Sequence, residues 1–178
     1  NGPNVVIAPD GSRLVFVSLE KDGKSRLFTR RLDQTNATLL EGTDGALGPF
    51  FSPNGQWVGF FASGKLKKVA VEGGAPVDLS SVSTPISGVW ADDGKIILAS
   101  LNGGLQMVPE GGGSPQTITQ LAAGETTHRW VSVLPGAKSV IYSAGVGGNM
   151  AAGKIVAHRL DTGERNILRN HASFPRYL

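Results

Sequence analysis

Hydrophobic positions in this chain fall in short runs separated by tight turns, and the arrangement recurs. Residues 49–51 (Pro-Phe-Phe) and 57–61 (Trp-Val-Gly-Phe-Phe) flank the tetrapeptide Ser52-Pro53-Asn54-Gly55. Proline presets the φ that a turn needs, and asparagine followed by glycine tolerates positive φ. Two apolar runs around such a turn predict a β-hairpin. Comparable turns stand at Pro9-Asp10-Gly11, Asp92-Asp93-Gly94 and Pro135-Gly136-Ala137. Aligned on Asp10, Asn54, Asp93 and Gly136, the copies lie 44, 39 and 43 residues apart. A period of roughly 40–45 residues is that of a four-stranded propeller blade.

Each copy predicts four strands. In the first they cover residues 5–8, 14–18, 26–32 and 38–40; in the second 49–51, 57–61, 65–71 and 77–79. The third has 86–91, 96–99, 105–108 and 116–119, and the fourth 130–134, 140–143, 155–160 and 166–168. Second strands are continuously apolar, as in Leu14-Val15-Phe16-Val17, which suits burial on both faces between neighbouring blades. Third strands alternate, as in Lys65-Leu66-Lys67-Lys68-Val69. No window sustains helical periodicity.

The expected fold is an all-β propeller of four-stranded antiparallel blades, about four of them, spanning residues 4–41, 47–80, 86–120 and 127–169. Residues 172–178 read as the start of a further blade, which makes the chain a partial propeller. An open arc leaves two blade faces uncovered. The arc then closes on itself, associates with a second copy, or belongs to a ring of six or more blades; the last is expected.

Composition narrows the class. With 178 residues, 40% hydrophobic and 17% charged, the chain is globular. Gly 25 and Pro 10 suit frequent turns. Cysteine is absent, which excludes disulfides and thiolate metal sites. A net charge of +3 is too small to argue for nucleic acid. No run reaches the ~18 apolar residues of a membrane span. The chain begins at Asn1 rather than Met and reads as an excised segment, so the missing signal peptide is uninformative.

The repeat resembles the TolB-type propeller unit, an aromatic followed by Ser-Pro-Asp-Gly and an apolar strand. Phe51-Ser52-Pro53-Asn54-Gly55 matches closely, Ala8-Pro9-Asp10-Gly11 and Ala91-Asp92-Asp93-Gly94 more loosely, and Leu134-Pro135-Gly136 is degenerate. A narrower likeness joins residues 65–69 with Gly73-Gly74-Ala75-Pro76, residues 103–108 with Gly112-Gly113-Ser114-Pro115, and Thr127-His128-Arg129-Trp130. These are similar to the propeller region that follows bacterial serine/threonine protein kinases. That resemblance implies a non-catalytic, extracytoplasmic (periplasmic) sensor module; the protein or small anionic ligand expected at the propeller mouth follows from convergent His and Arg residues there. The resemblance also implies a parent anchored in the inner membrane, without direct membrane contact from this segment. Two other readings stay open: the gating propeller of a prolyl-oligopeptidase-type serine peptidase, and a free-standing TolB-like scaffold.

Isolated motifs carry little chemistry. Asp161-Thr162-Gly163 spells the aspartic protease triplet, but that chemistry needs two carboxylates sharing a proton, and one copy reads as a turn. Gly23-Lys24-Ser25 lacks the upstream glycine and following helix of a phosphate loop. Residues 145–153 (GVGGNMAAG) read as a long hairpin loop. Asn36-Ala37-Thr38 is a glycosylation sequon in spelling only. The basic residues Arg26, Arg30, Arg31, Lys65, Lys67 and Lys68 read as a solvated face, and the aromatics of residues 50–61 as packing between blades. His158 reads as a surface residue. His128 with Arg129, and His171 with Arg176, precede innermost strands, whose entry loops ring one mouth of a propeller channel. These four are the expected binding residues, against a structural reading in which they tie loops to backbone carbonyls. No catalytic residue, cofactor, metal or nucleic-acid partner is expected; association through open blade faces is.

Overall fold

The structure is a computed structural model and describes residues 4–146 and 149–177; side-chain surroundings are described for residues 4–146 and 153–177. Sixteen strands form four antiparallel sheets, each ordered 1-2-3-4 along the chain. Blade one holds β1 (Val5–Ile7), β2 (Arg13–Leu19), β3 (Ser25–Arg31) and β4 (Thr38–Leu39). Blade two holds β5 (Leu47–Phe51), β6 (Trp57–Ala62), β7 (Lys65–Ala70) and β8 (Val77–Ser81). Blade three holds β9 (Pro85–Trp90), β10 (Lys95–Ser100), β11 (Gln106–Pro109) and β12 (Gln116–Thr117). Blade four holds β13 (Thr127–Val133), β14 (Ser139–Val146), β15 (Asn149–Arg159) and β16 (Arg165–Asn170). Among the described residues there is no helix. The expected all-β propeller of four-stranded blades is what the chain forms.

The inner strands stand in a row, β1 against β5, β5 against β9 and β9 against β13. The core lies in the three gaps between blades. Val15, Leu27, Leu40, Val58, Phe60 and Val69 fill the first. Phe50, Phe61, Leu66, Trp90, Ile96, Leu98 and Val108 fill the second. Ile97, Ala99, Leu105, Val140, Tyr142 and Val156 fill the third. Side chains alternate across a strand, so Ile96 and Leu98 look back to blade two while Ile97 and Ala99 look on to blade four. That is why the second strands are apolar at consecutive positions. Each fully buried Leu, Ile or Phe stabilises the stack by about 1.5–3 kcal/mol.

Two glycines set the second gap. A Cβ on Gly59 would lie 2.3 Å from the Phe50 ring, and one on Gly88 would lie 2.4 Å from it. Gly59 is the cross-strand partner of Phe50, and Gly88 belongs to the next blade. The phenyl ring therefore sits flush on backbone on both sides.

The outer face of blade one remains open. Val5, Phe16 and Phe28 form one cross-strand row, with Phe16 and Phe28 stacked at 5.8 Å and Val5 57% exposed. On the far side, residues 171–177 carry no strand pairing. They run over blade four instead: the Phe174 and Tyr177 amides donate to the Ser143 and Ser132 hydroxyls at 3.0 and 3.4 Å. The Phe174 ring stacks on Trp130 at 3.7 Å. Trp130 has φ +50° at the β13 bulge, a left-handed conformation costly for an aromatic residue.

The glycine-rich segment expected as a long loop is mostly strand. β14 runs to Val146 and β15 starts at Asn149, and the connecting residues 147–148 lie outside the described residues. Gly23-Lys24-Ser25 closes the β2–β3 hairpin, with the Lys24 ammonium on Asp44 at 2.5 Å. Asp161-Thr162-Gly163 is a turn, with Asp161 paired to Arg159 at 3.1 Å.

Candidate functional site

Antiparallel meanders place all β1–β2-type and β3–β4-type turns at one end of the blades. We call this the turn face, and the opposite end, where the chain enters each new blade, the entry face. The structure divides the four expected binding residues. His128 and Arg129 open β13 on the entry side and His171 follows β16 at that same end, whereas Arg176 lies toward the turn face beside Tyr177, whose amide meets the Ser132 hydroxyl near the end of β13. His128 is fully buried and Arg129 nearly so. His171 and Arg176 are exposed, and among the described residues no hydrogen bond or ion pair joins them to the first pair.

His128 sits in a closed hydrogen-bond chain. The Leu105 amide donates to Thr119 Oγ1 at 2.7 Å, and Thr119 Oγ1 lies 2.8 Å from His128 Nδ1. His128 Nε2 lies 3.0 Å from Glu125 Oε2, which also accepts the Ala122 amide at 3.0 Å. A carboxylate can only accept, so Nε2 carries the proton and Nδ1 accepts from Thr119. This is the neutral imidazole. Burial lowers the His128 pKa and outweighs the Glu125 carboxylate, which pulls it upward. Burial also pushes Glu125 up, but the Ala122 amide, His128 and Arg165 together hold it below the ordinary carboxylate value. Arg165 completes the cluster through an ion pair to Glu125.

Arg129 donates from Nε to Thr127 Oγ1 at 3.1 Å and from Nη2 to the Leu101 carbonyl at 2.9 Å. His128 and Arg129 thus tie blade four to blade three. His158, expected at the surface, is instead buried, 9% exposed, because β16 covers it from the Arg165 side. Burial lowers its pKa.

Two concave, chemically mixed surfaces are on the turn face. One cleft of about 560 Å³ lies between blades two and three, lined by Ser52, Asn54, Trp57, Lys68, Trp90, Asp92 and Glu110 among others. A second, of about 520 Å³, lies between blades one and two and includes Asp10, Arg13, Arg31, Gln56, Trp57 and Glu72. Trp57 lines both.

Local geometry explains each position. Trp57 opens β6, two residues past Gly55 of the turn, so its indole stands at the blade end rather than mid-core. Trp90 closes β9 beside the next turn, and its Nε1 donates to Glu110 Oε2 at 3.2 Å. Gly94 has φ +79°, and a Cβ there would lie 3.2 Å from the Glu110 carboxyl carbon; the glycine both makes the turn and leaves room for that carboxylate. Lys68 reaches across from β7: its ammonium is 5.0 Å from the Trp57 ring centre and 5.8 Å from the Trp90 ring centre. It donates to the Glu110 carbonyl at 2.9 Å.

Lys68 therefore departs from the solvated face expected of the third strands. Lys65 and Lys67 pair with Asp78 at 2.5 and 2.7 Å, whereas Lys68 has no ion pair among the described residues. In the neighbouring cleft, Arg13 is largely buried. It donates to the Val71 carbonyl at 2.9 Å and to Thr29 Oγ1 at 3.2 Å, and pairs with Glu72. Sequence reasoning missed Lys68, Trp90 and Glu110 as a group and read Trp57 as packing. The available signal was an aromatic adjoining the turn in two successive repeats, a position at the end of a blade.

Among the described residues no group of three or more His, Cys, Asp or Glu side chains is arranged to hold a metal. Among the described residues no helix is long and apolar enough to cross a membrane.

No family model and no curated protein matches the sequence. In fold the chain is similar to TolB from Acinetobacter baumannii, with TM-score 0.74 and 19% identity over 96% of this chain. It is equally similar to a putative TolB from Agrobacterium tumefaciens, with TM-score 0.74 and 15% identity, again over 96% of this chain. It spans 45% of the first protein and 68% of the second. A puromycin-hydrolysing peptidase of Mycobacterium tuberculosis superposes with TM-score 0.64 at 13% identity, over 94% of this chain and 29% of that one. The fold is thus a TolB-like β-propeller arrangement of four blades, of a kind also found within peptidases.

Proposed function

We propose that the chain is a non-catalytic recognition module, the extracytoplasmic sensor propeller of a bacterial serine/threonine protein kinase, which holds its ligand on the turn face around Trp57. The observation that carries the recognition reading is the pair of clefts sharing the Trp57 indole as a common wall. One of them presents a lysine and an aspartate, Lys68 and Asp92, that no ion pair commits among the described residues. Ligand sites favour such concave surfaces with a few convergent polar groups. His128 and Arg129 act in this reading as scaffold; the exposed His171 is left for contact on the entry side and the exposed Arg176 toward the turn face. The kinase assignment is supported by the sequence likeness of residues 65–76, 103–115 and 127–130.

The second reading is a propeller that gates a serine peptidase, favoured by the fold likeness to the peptidases. The coding sequence flanking the propeller separates the two. A kinase catalytic loop and a membrane helix upstream are expected, together with altered autophosphorylation of the full-length protein in the Asp92→Asn variant. A nucleophile elbow downstream overturns the kinase assignment in favour of the peptidase.

A further inference from the structure

We infer that the cleft between blades two and three is a carbohydrate site, in which a neutral sugar ring stacks on Trp57 while its hydroxyls bridge Asp92, Asn54 and Lys68. The inference rests on the recognition reading above and names its ligand class.

The charges in the cleft argue against a simple ion. A cation would meet the Lys68 ammonium, already held over the Trp57 face. An anion would meet Asp92, Asp93 and Glu110 on the opposite wall. An apolar ligand would strip water from Lys68 and Asp92 without replacing it, which is costly. A ligand whose groups both donate and accept avoids all three penalties.

The hydrogen-bonding capacity left over fits hydroxyls. Asp92 accepts no hydrogen bond among the described residues. Asn54 accepts on its Oδ1 from the Ser52 hydroxyl and the Gln56 amide, at 2.7 and 3.1 Å, and its Nδ2 makes no hydrogen bond among the described residues. Lys68 has three donors and gives one to Glu110. One acceptor and two donor groups therefore face a single cleft, and hydrogen bonds to ionised groups are the stronger kind. Beside them, Trp57 is only half-buried, and its ring offers an aromatic surface to a ring face made of C–H groups once the Lys68 ammonium, 5.0 Å from the ring centre, turns from the indole to the sugar's hydroxyls. Glu110 is occupied by Trp90 and holds the second indole in place.

The test is calorimetric titration of the intact protein with cellotetraose, maltotetraose, chitotetraose and trigalacturonate, and in parallel with a random-sequence peptide pool of matched length. Saturable binding of at least one neutral oligosaccharide is expected. Asp92→Asn, an exposed change that breaks no bond in the fold, should weaken it roughly tenfold, and Trp57→Phe should weaken it without unfolding the protein. The anionic trimer should bind less tightly than its neutral counterparts. Absence of saturable binding by every neutral sugar overturns the carbohydrate inference, as does binding unaffected by both variants. If the peptide pool binds instead, and Asp92→Asn weakens that binding, the recognition reading stands without the sugar. If neither class binds and Asp92→Asn leaves the full-length protein's activity unchanged, the recognition reading fails as well.

Discussion

His128 Nε2 lies 3.0 Å from Glu125 Oε2, and the histidine is neutral despite that carboxylate. Since burial depresses the folded pKa below the ordinary 6.5, the unfolded chain takes up the proton first as pH falls. The stability that neutral His128 confers is complete above about pH 6.5 and is lost as pH drops through that value toward the folded pKa. His158, also depressed by burial, adds in the same direction; Arg165 stays charged throughout. The urea midpoint should therefore fall between pH 7 and pH 5, and the His128→Gln variant should show a flatter profile.

Glu125 should matter more than any surface carboxylate. Its side chain is buried, 3% exposed, between His128 and Arg165. Glu125→Ala leaves Arg165 unpaired and should cost about 3 kcal/mol, measurable by denaturant unfolding. Asp33→Ala, which breaks only the exposed pair with Arg31, should leave the midpoint nearly unchanged.

Lys68 and Lys65 are three residues apart and should behave differently. Lys68→Gln removes a cation from two indoles and a donor from Glu110, and should lower stability by about 1 kcal/mol while shifting tryptophan emission. Lys65→Gln loses only an exposed partner, Asp78, and should do neither.

Gly88→Ala introduces a methyl where Phe50 already sits. Overpacking of this kind should cost about 1–3 kcal/mol. Phe50→Leu in the same chain should recover part of the loss, since the two changes share one space.

The blades were legible in the sequence because a turn residue and a strand period are local properties. Pro53-Asn54-Gly55 can hardly be anything but a turn, and the continuously apolar Leu14–Val17 suits burial on both faces whichever neighbours it meets. The candidate site was less legible for a physical reason. Position in a strand says which face a side chain takes, but burial depends on what the next blade brings, about 40 residues away. His128 was placed near a channel mouth by its strand; Thr119 and Glu125, from the loop before it, enclose it. Lys68 reads like Lys65 and Lys67 until Trp90 of the next blade arrives beside it. His158 looked exposed because nothing local shows that Arg165 and Tyr142 close over it. Of the tail read as the start of a further blade, residues 172–177 lie against serine hydroxyls of blade four, and residue 178 lies outside the described residues.

The Phe50 ring held between Gly59 and Gly88 has a geometric consequence. A propeller closes when the wedge angles between successive blades add up to a full turn, so blade number is counted in wedges. Between blades two and three that wedge is one phenyl ring deep, with backbone on either side. A larger residue at either glycine would open the angle, and a smaller one at Phe50 would narrow it. Three side-chain sizes thus help fix how many blades of this kind make a circle.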